Sequence, residues 1–234
     1  MAEMLDAVVA AALADDLDQL VRLHDRELDP AVWSALRQVE FPIGLALSPA
    51  QGRCVQWSAV LAETPDFDDL AADFAAIYLN HQFGASPYES VWCSEDGLAC
   101  ATPMFALRTR FAELGLRAGD WRSRFDDHLV LELQYLAHCF RLPTVDPMAI
   151  AVFIDRHPGR WLAAFCQRIE ARCATKFYAA LAGLTVEWLM NCRSLLVRYG
   201  APALSVLELA ESSPTTGQAK TPLAYLPGGC SPGW

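Results

Sequence analysis

The 234-residue sequence predicts an all-α fold: a single bundle of about eight to ten helices, with one long aromatic loop and a C-terminal tail that lacks any packing pattern. Three observations predict it. Apolar residues recur at three- and four-residue intervals, as Phe67, Leu70, Phe74, Ile77 and Tyr78 do, which places them on one face of a helix. Proline, aspartate and serine punctuate the chain just ahead of such runs, where helix starts use them. The strict apolar–polar alternation of a half-buried strand is nearly absent.

Taken in order, a first helix is expected from about Ala2 to His24, and Asp29-Pro30 starts a second that ends near Phe41-Pro42. Ser48-Pro49 opens a third through about Ala62, and Asp66 caps a fourth that reaches about Asn80. From His81 to Ala101 the residues Gly84, Pro87 and Gly97 block a continuous helix, so this stretch reads as a long loop dense in aromatics. Thr102-Pro103 begins the next helix, which stops at Gly115. Ser123, with Asp126 three residues on, resembles a capping box, and Leu129, Leu133, Leu136 and Phe140 mark one buried face of the helix that follows. Asp146-Pro147 opens a short helix interrupted at His157-Pro158. Trp161 to about Leu195 then gives one or two long helices, with Trp161, Phe165, Ile169, Phe177, Tyr178, Trp188 and Leu189 as core candidates. Residues 211–234, rich in Pro, Gly, Ser and Thr without a period, are expected to form a disordered tail after a helical domain of residues 1–210.

Composition narrows the function. With 53% hydrophobic residues the chain can form a sizeable core, and a formal net charge of -10 argues against nucleic acid or an anionic membrane as partner. Eight cysteines without a CxxC pair, several in apolar helical runs, suit reduced thiols in a cytoplasmic protein. Glu3 and Asp6 stand where a secretory signal carries basic residues, and no apolar run approaches the roughly 18 residues of a membrane span. A soluble protein that stays where it is made is expected.

Two segments carry candidate chemistry. Asp126, Asp127 and His128 open the Leu129 helix, and Glu132 lies one turn beyond His128, so imidazole and carboxylate can share a face. Capping explains the aspartates equally well. Phe83, Tyr88 and Trp92 of the loop either lid the bundle or line a binding groove. No GxSxG elbow, GxxxxGK[ST] loop or GxGxxG turn occurs, and no histidines or cysteines stand at a metal-ligand spacing. The enzymatic alternative is an all-α metal-dependent hydrolase using Asp127, His128 and Glu132.

The order of three motifs says more. Tyr78-Leu79-Asn80-His81-Gln82-Phe83-Gly84, then Pro87-Tyr88-Glu89-Ser90-Val91-Trp92, then Asp126-Asp127-His128-Leu129-x-x-Glu132-Leu133 resembles the TorD/DmsD/NarJ family of cytoplasmic molybdoenzyme chaperones. Phe153-x-x-x-His157-x-x-x-Trp161 and Phe177-Tyr178 are similar to that family's C-terminal half, so the resemblance covers about residues 5 to 200. It implies a protein without catalysis or cofactor of its own. Such a protein binds the twin-arginine signal peptide and the immature body of a molybdopterin oxidoreductase, assists cofactor insertion and proofreads export. Further implied partners are molybdenum cofactor biosynthesis proteins, and the implied assembly is a monomer or a helix-swapped dimer hinged near Leu142 to Pro147. Carried onto this chain, Leu79, Phe83, Pro87, Tyr88, Ser90 and Trp92 line the peptide groove, with Asp126, Asp127, His128 and Glu132 on its polar side. An aromatic groove beside carboxylates suits a peptide whose arginines precede an apolar segment. His81-Gln82-Phe83, the short Ala85-Ser86 connection and Phe125 depart from the family pattern, and bear on the groove's shape and hence on the client.

Overall fold

The computed structural model describes residues 5–119 and 124–203. The expected tail at 211–234 and the capping residue Ser123 lie outside the described residues. Within them the chain forms ten α-helices: α1 (Ala7–Asp25), α2 (Pro30–Gln38), α3 (Gln51–Ala62), α4 (Phe67–Phe74), α5 (Glu89–Cys93), α6 (Thr102–Glu113), α7 (Leu129–Phe140), α8 (Pro147–Arg156), α9 (Pro158–Glu170) and α10 (Phe177–Arg198). A five-residue π-helix, Ala75–Leu79, continues α4. Among the described residues there is no strand, and none of the helices is long and apolar enough to cross a membrane.

Aspartates start the helices as their positions ahead of proline or an apolar run suggest. Asp29, Asp66 and Asp146 each accept a hydrogen bond from a backbone N–H of the first turn, satisfying donors that have no partner inside the helix. The core forms where α1 packs on α7 and where α10 packs on α9, α8 and α3. Leu13, Leu17 and Leu20 of α1 and Leu129, Leu133 and Leu136 of α7 are all shut off from water, each worth on the order of 2 kcal/mol of burial. Trp57, Trp161 and Trp188 fill the centre. Two buried aspartates fasten loops to this core. Asp16 accepts from Ala46 N, Leu47 N and Trp188 Nε1, and Asp73 accepts from Ala174 N, Thr175 N and Thr175 Oγ1 ahead of α10.

The structure departs from the sequence expectation at three places. α2 ends at Gln38, because Glu40 takes a positive φ of 50° that no helix can continue. The stretch expected as one loop from His81 to Ala101 contains α5. Finally, α7 starts at Leu129 and not near Ser123: its N-cap is His128, whose Nδ1 accepts from Val130 N at 3.1 Å. Asp126 and Asp127 do not cap the helix because both carboxylates are engaged elsewhere.

Candidate functional site

A single antiparallel bridge, Tyr88 to His128, joins the start of α5 to the start of α7. Glu89 N donates to Asp127 O at 3.0 Å and Leu129 N donates to Pro87 O at 2.8 Å. The Asp127 side chain adds a third bond, accepting from Ser90 N at 2.8 Å, and Ser90 Oγ accepts from Ala101 N at 3.1 Å. Asp126 is held by Arg108, whose Nε and Nη2 donate to one carboxylate oxygen at 3.0 and 2.8 Å. The Tyr88 ring meets His128 edge-on with centroids 5.0 Å apart, and lies 5.8 Å from His81 and 5.7 Å from Phe125. The two motifs therefore form one clamp, built from residues about forty positions apart.

The π-helix sets what faces outward beside this clamp. One wide turn inserts an extra residue into the helical register, so that Tyr78 turns inward while Leu79 is 67% exposed. Tyr78 Oη lies 2.6 Å from His24 Nδ1, and His24 Nε2 lies 2.8 Å from Thr185 Oγ1. Because the Thr185 hydroxyl donates its proton to Leu181 O, His24 must donate from Nε2, and a neutral ring then accepts from Tyr78 at Nδ1. Burial pushes the His24 pKa down to about 3, which agrees with that tautomer.

After the π-helix the chain reverses at Gly84, whose φ of +60° falls in the left-handed region. A Cβ there would stand 3.2 Å from Arg168 Nη1. Arg168 Nη1 reaches Gly84 O at 3.5 Å, and its guanidinium also lies over the Trp92 ring, 5.7 Å from the centroid. Arg172 donates to Phe83 O. Trp92 is fixed by its Nε1 donating to Ser86 O at 2.7 Å and by an edge-on contact with Phe165. The half-buried rings of Phe83 and Trp92, with exposed Leu79, form an apolar strip along this corner of the bundle.

Behind the strip lies a buried acidic cluster. Burial raises the Asp127 pKa, opposed by the bonds from Ser90. Glu132 is fully buried, and its Oε2 has only Trp161 Nε1 at 3.4 Å, while Oε1 has no partner among the described residues. Burial first, then the neighbouring charges of Glu89 and Asp127, hold its carboxyl well above the ordinary range. Glu89, 1% exposed, is paired instead with His157 Nδ1 at 2.8 Å. Burial, with a smaller contribution from Arg124, likewise keeps His128 uncharged.

Of the residues marked from sequence, Leu79, Phe83 and Trp92 stand at the surface strip, whereas Pro87, Tyr88, Ser90, Asp126, Asp127, His128 and Glu132 are buried in the clamp and behind it. His128 and Glu132 do not pair through their side chains: one caps α7 and the other faces Trp161. Asp127, His128 and Glu132 do not assemble as metal ligands, for among the described residues no group of three His, Cys, Asp or Glu side chains has that arrangement. Sequence reasoning missed Arg108, Arg168 and the Glu89–His157 pair. All three depend on contacts between segments remote in the chain; Glu89 and His157 each stood in a quoted motif, but nothing in the sequence paired them.

An all-helical bundle with an α5 motif clamped to a capped Asp-His helix defines the class, and comparison places the chain in it. The chain belongs to the nitrate reductase delta subunit family, the family of the TorD/DmsD/NarJ resemblance; residues 46–167 match it and include every residue of the clamp. Chaperone protein TorD of Vibrio cholerae is 28% identical over 138 residues, covering 55% of this chain and 62% of that protein. TorD of Shewanella loihica is 29% identical over 146 residues, 58% of this chain and 68% of the relative. TorD of Shewanella oneidensis is 30% identical over 137 residues, 55% and 61% respectively. The match thus spans less than two thirds of the first of these relatives. No solved structure matches the chain.

Proposed function

We propose that this protein is a cytoplasmic maturation chaperone for a molybdopterin-containing oxidoreductase, acting by binding and not by catalysis. It holds the client's twin-arginine signal peptide and its immature body while cofactor is inserted, ahead of export. Family membership across the clamp is the observation that carries this reading. In support, Leu79, Phe83 and Trp92 offer adjoining apolar surface to the peptide's apolar segment, and the buried clamp residues hold that surface rigid. In this reading Asp126, Asp127, His128 and Glu132 act as positioning residues, since their side chains are buried. The working assembly is a monomer, with a helix swap about Leu142 to Pro147 as the alternative.

Calorimetric titration with synthetic twin-arginine signal peptides tests the proposal. Trp92→Ala is expected to weaken binding by about 2 kcal/mol, near thirtyfold, the usual loss for an aromatic anchor, with the bundle still folded by circular dichroism. Wild-type affinity in that variant, or no saturable binding of any such peptide to the wild-type chain, removes the strip from the function.

A further inference from the structure

A cleft of about 1120 Å³ runs along α5, lined by Glu89 and Cys93, and is bordered by α6, the α8–α9 junction and α10. Its floor is apolar, with Val152, Leu162, Val186 and Leu189, and Met190 lies on its lining while 66% exposed. Four arginines line it, Arg110, Arg156, Arg160 and Arg193, against two carboxylates, Glu89 and Asp155. Both carboxylates are engaged: Glu89 with His157, and Asp155 with Arg193 Nε at 2.8 Å. Arg110 has only the exposed Glu113 one turn on, and Arg156 and Arg160 have no ionic partner among the described residues. Arg193 Nη1 is buried without an acceptor among those residues, a state that costs stability unless something supplies one.

A positive cleft stands out on a chain of formal net charge -10. From the apolar floor and arginine rim we infer that this cleft is a second docking surface, which takes an acidic, apolar peptide segment of a partner protein. Leucine- or valine-type side chains cover the floor and Met190, and carboxylates meet Arg156 and Arg160. Arginine suits this role because its planar fork binds a carboxylate through two donors. A basic twin-arginine segment is repelled here, so the surface is separate from the strip at Trp92 and does not rest on the signal-peptide reading.

The test is a selection by the full chain from a synthetic library of twelve-residue peptides randomised over Leu, Val, Ala, Glu and Lys, repeated with the double variant Arg156→Glu/Arg160→Glu. Wild-type protein should enrich glutamate over lysine, and the double variant should bind the selected peptides on the order of tenfold more weakly. Ala163→Trp, at an exposed cleft position on α9, should block the same peptides by filling the cleft. Twin-arginine peptide affinity should not fall in the charge variant, and equal thermal melting checks its fold. Equal retention of acidic and basic peptides, unchanged glutamate preference in the variant, or no retained peptide overturns the inference. So does a self-association of the wild-type chain in sedimentation that the charge reversal abolishes, because the occupant would then be a second copy.

Discussion

Glu132→Gln tests whether the acid behind the strip is neutral, and therefore whether it can serve as a charged wall. In the folded protein its carboxyl is shut from water and has a single long bond from Trp161. Burial, followed by the nearby carboxylates of Glu89 and Asp127, lifts its pKa well above the ordinary 4.5. Above about pH 4.5 the unfolded chain has released this proton while the folded chain still holds it. The folded state then binds more protons than the unfolded one, so stability is fully present below the unfolded pKa and is lost as pH rises toward the folded value. One such site changes stability by about 1.4 kcal/mol per pH unit across that window. Glutamine keeps the shape and does not titrate. Urea denaturation of both proteins at intervals from about pH 4 to about pH 8 should show the wild type losing ground to the variant at up to that slope, then running parallel once the folded pKa is passed. Parallel curves throughout would refute the argument. A variant that loses ground as pH rises would do more, since it would make the carboxylate stabilising and restore Glu132 as a partner for arginine.

Tyr78→Phe removes the hydroxyl that donates to His24 Nδ1 and strands a buried ring nitrogen; the expected loss is about 1–3 kcal/mol in urea denaturation, and an unchanged midpoint would contradict the assigned tautomer. Gly84→Ala places a Cβ at a φ of +60° and 3.2 Å from Arg168 Nη1. The backbone strain should cost about 1–2 kcal/mol, and signal-peptide affinity should fall in calorimetry because the guanidinium over Trp92 is displaced. Equal stability and affinity would show that this turn does not hold Arg168.

The helices were legible wherever a local signal coincided with a local cause. Asp29-Pro30, Asp66 and Asp146-Pro147 start helices through contacts within one turn, and the 129/133/136/140 face is buried because periodicity alone places it. The start of α7 was misread for the opposite reason: Asp126 and Asp127 look like caps, but Arg108 and Ser90 claim their oxygens from segments outside the helix. α5 stayed hidden because five residues between Pro87 and Gly97 are too few to show a period. The π-turn was invisible since Phe74, Ile77 and Tyr78 satisfy ordinary helical spacing as well. The three motifs picked out residues that the structure gathers at one corner of the bundle, yet not which of them reach its surface. That division between Trp92 at the surface and Asp127 within comes from the long-range bridge.

The bridge between Tyr88 and His128 also closes a ring in the chain. Residues 89–127 leave and return at neighbouring points, and α6 lies on this excursion. Doubling the length of such a loop adds only about 0.6 kcal/mol of closure entropy, and its ends stay pinned whatever happens between them. Insertions after α6 would therefore leave both the strip at Trp92 and the α1–α7 core in register. The connection after α6, the helix that borders the arginine-rimmed cleft, is thus free to change length, and a lineage can remodel that surface without rebuilding the other.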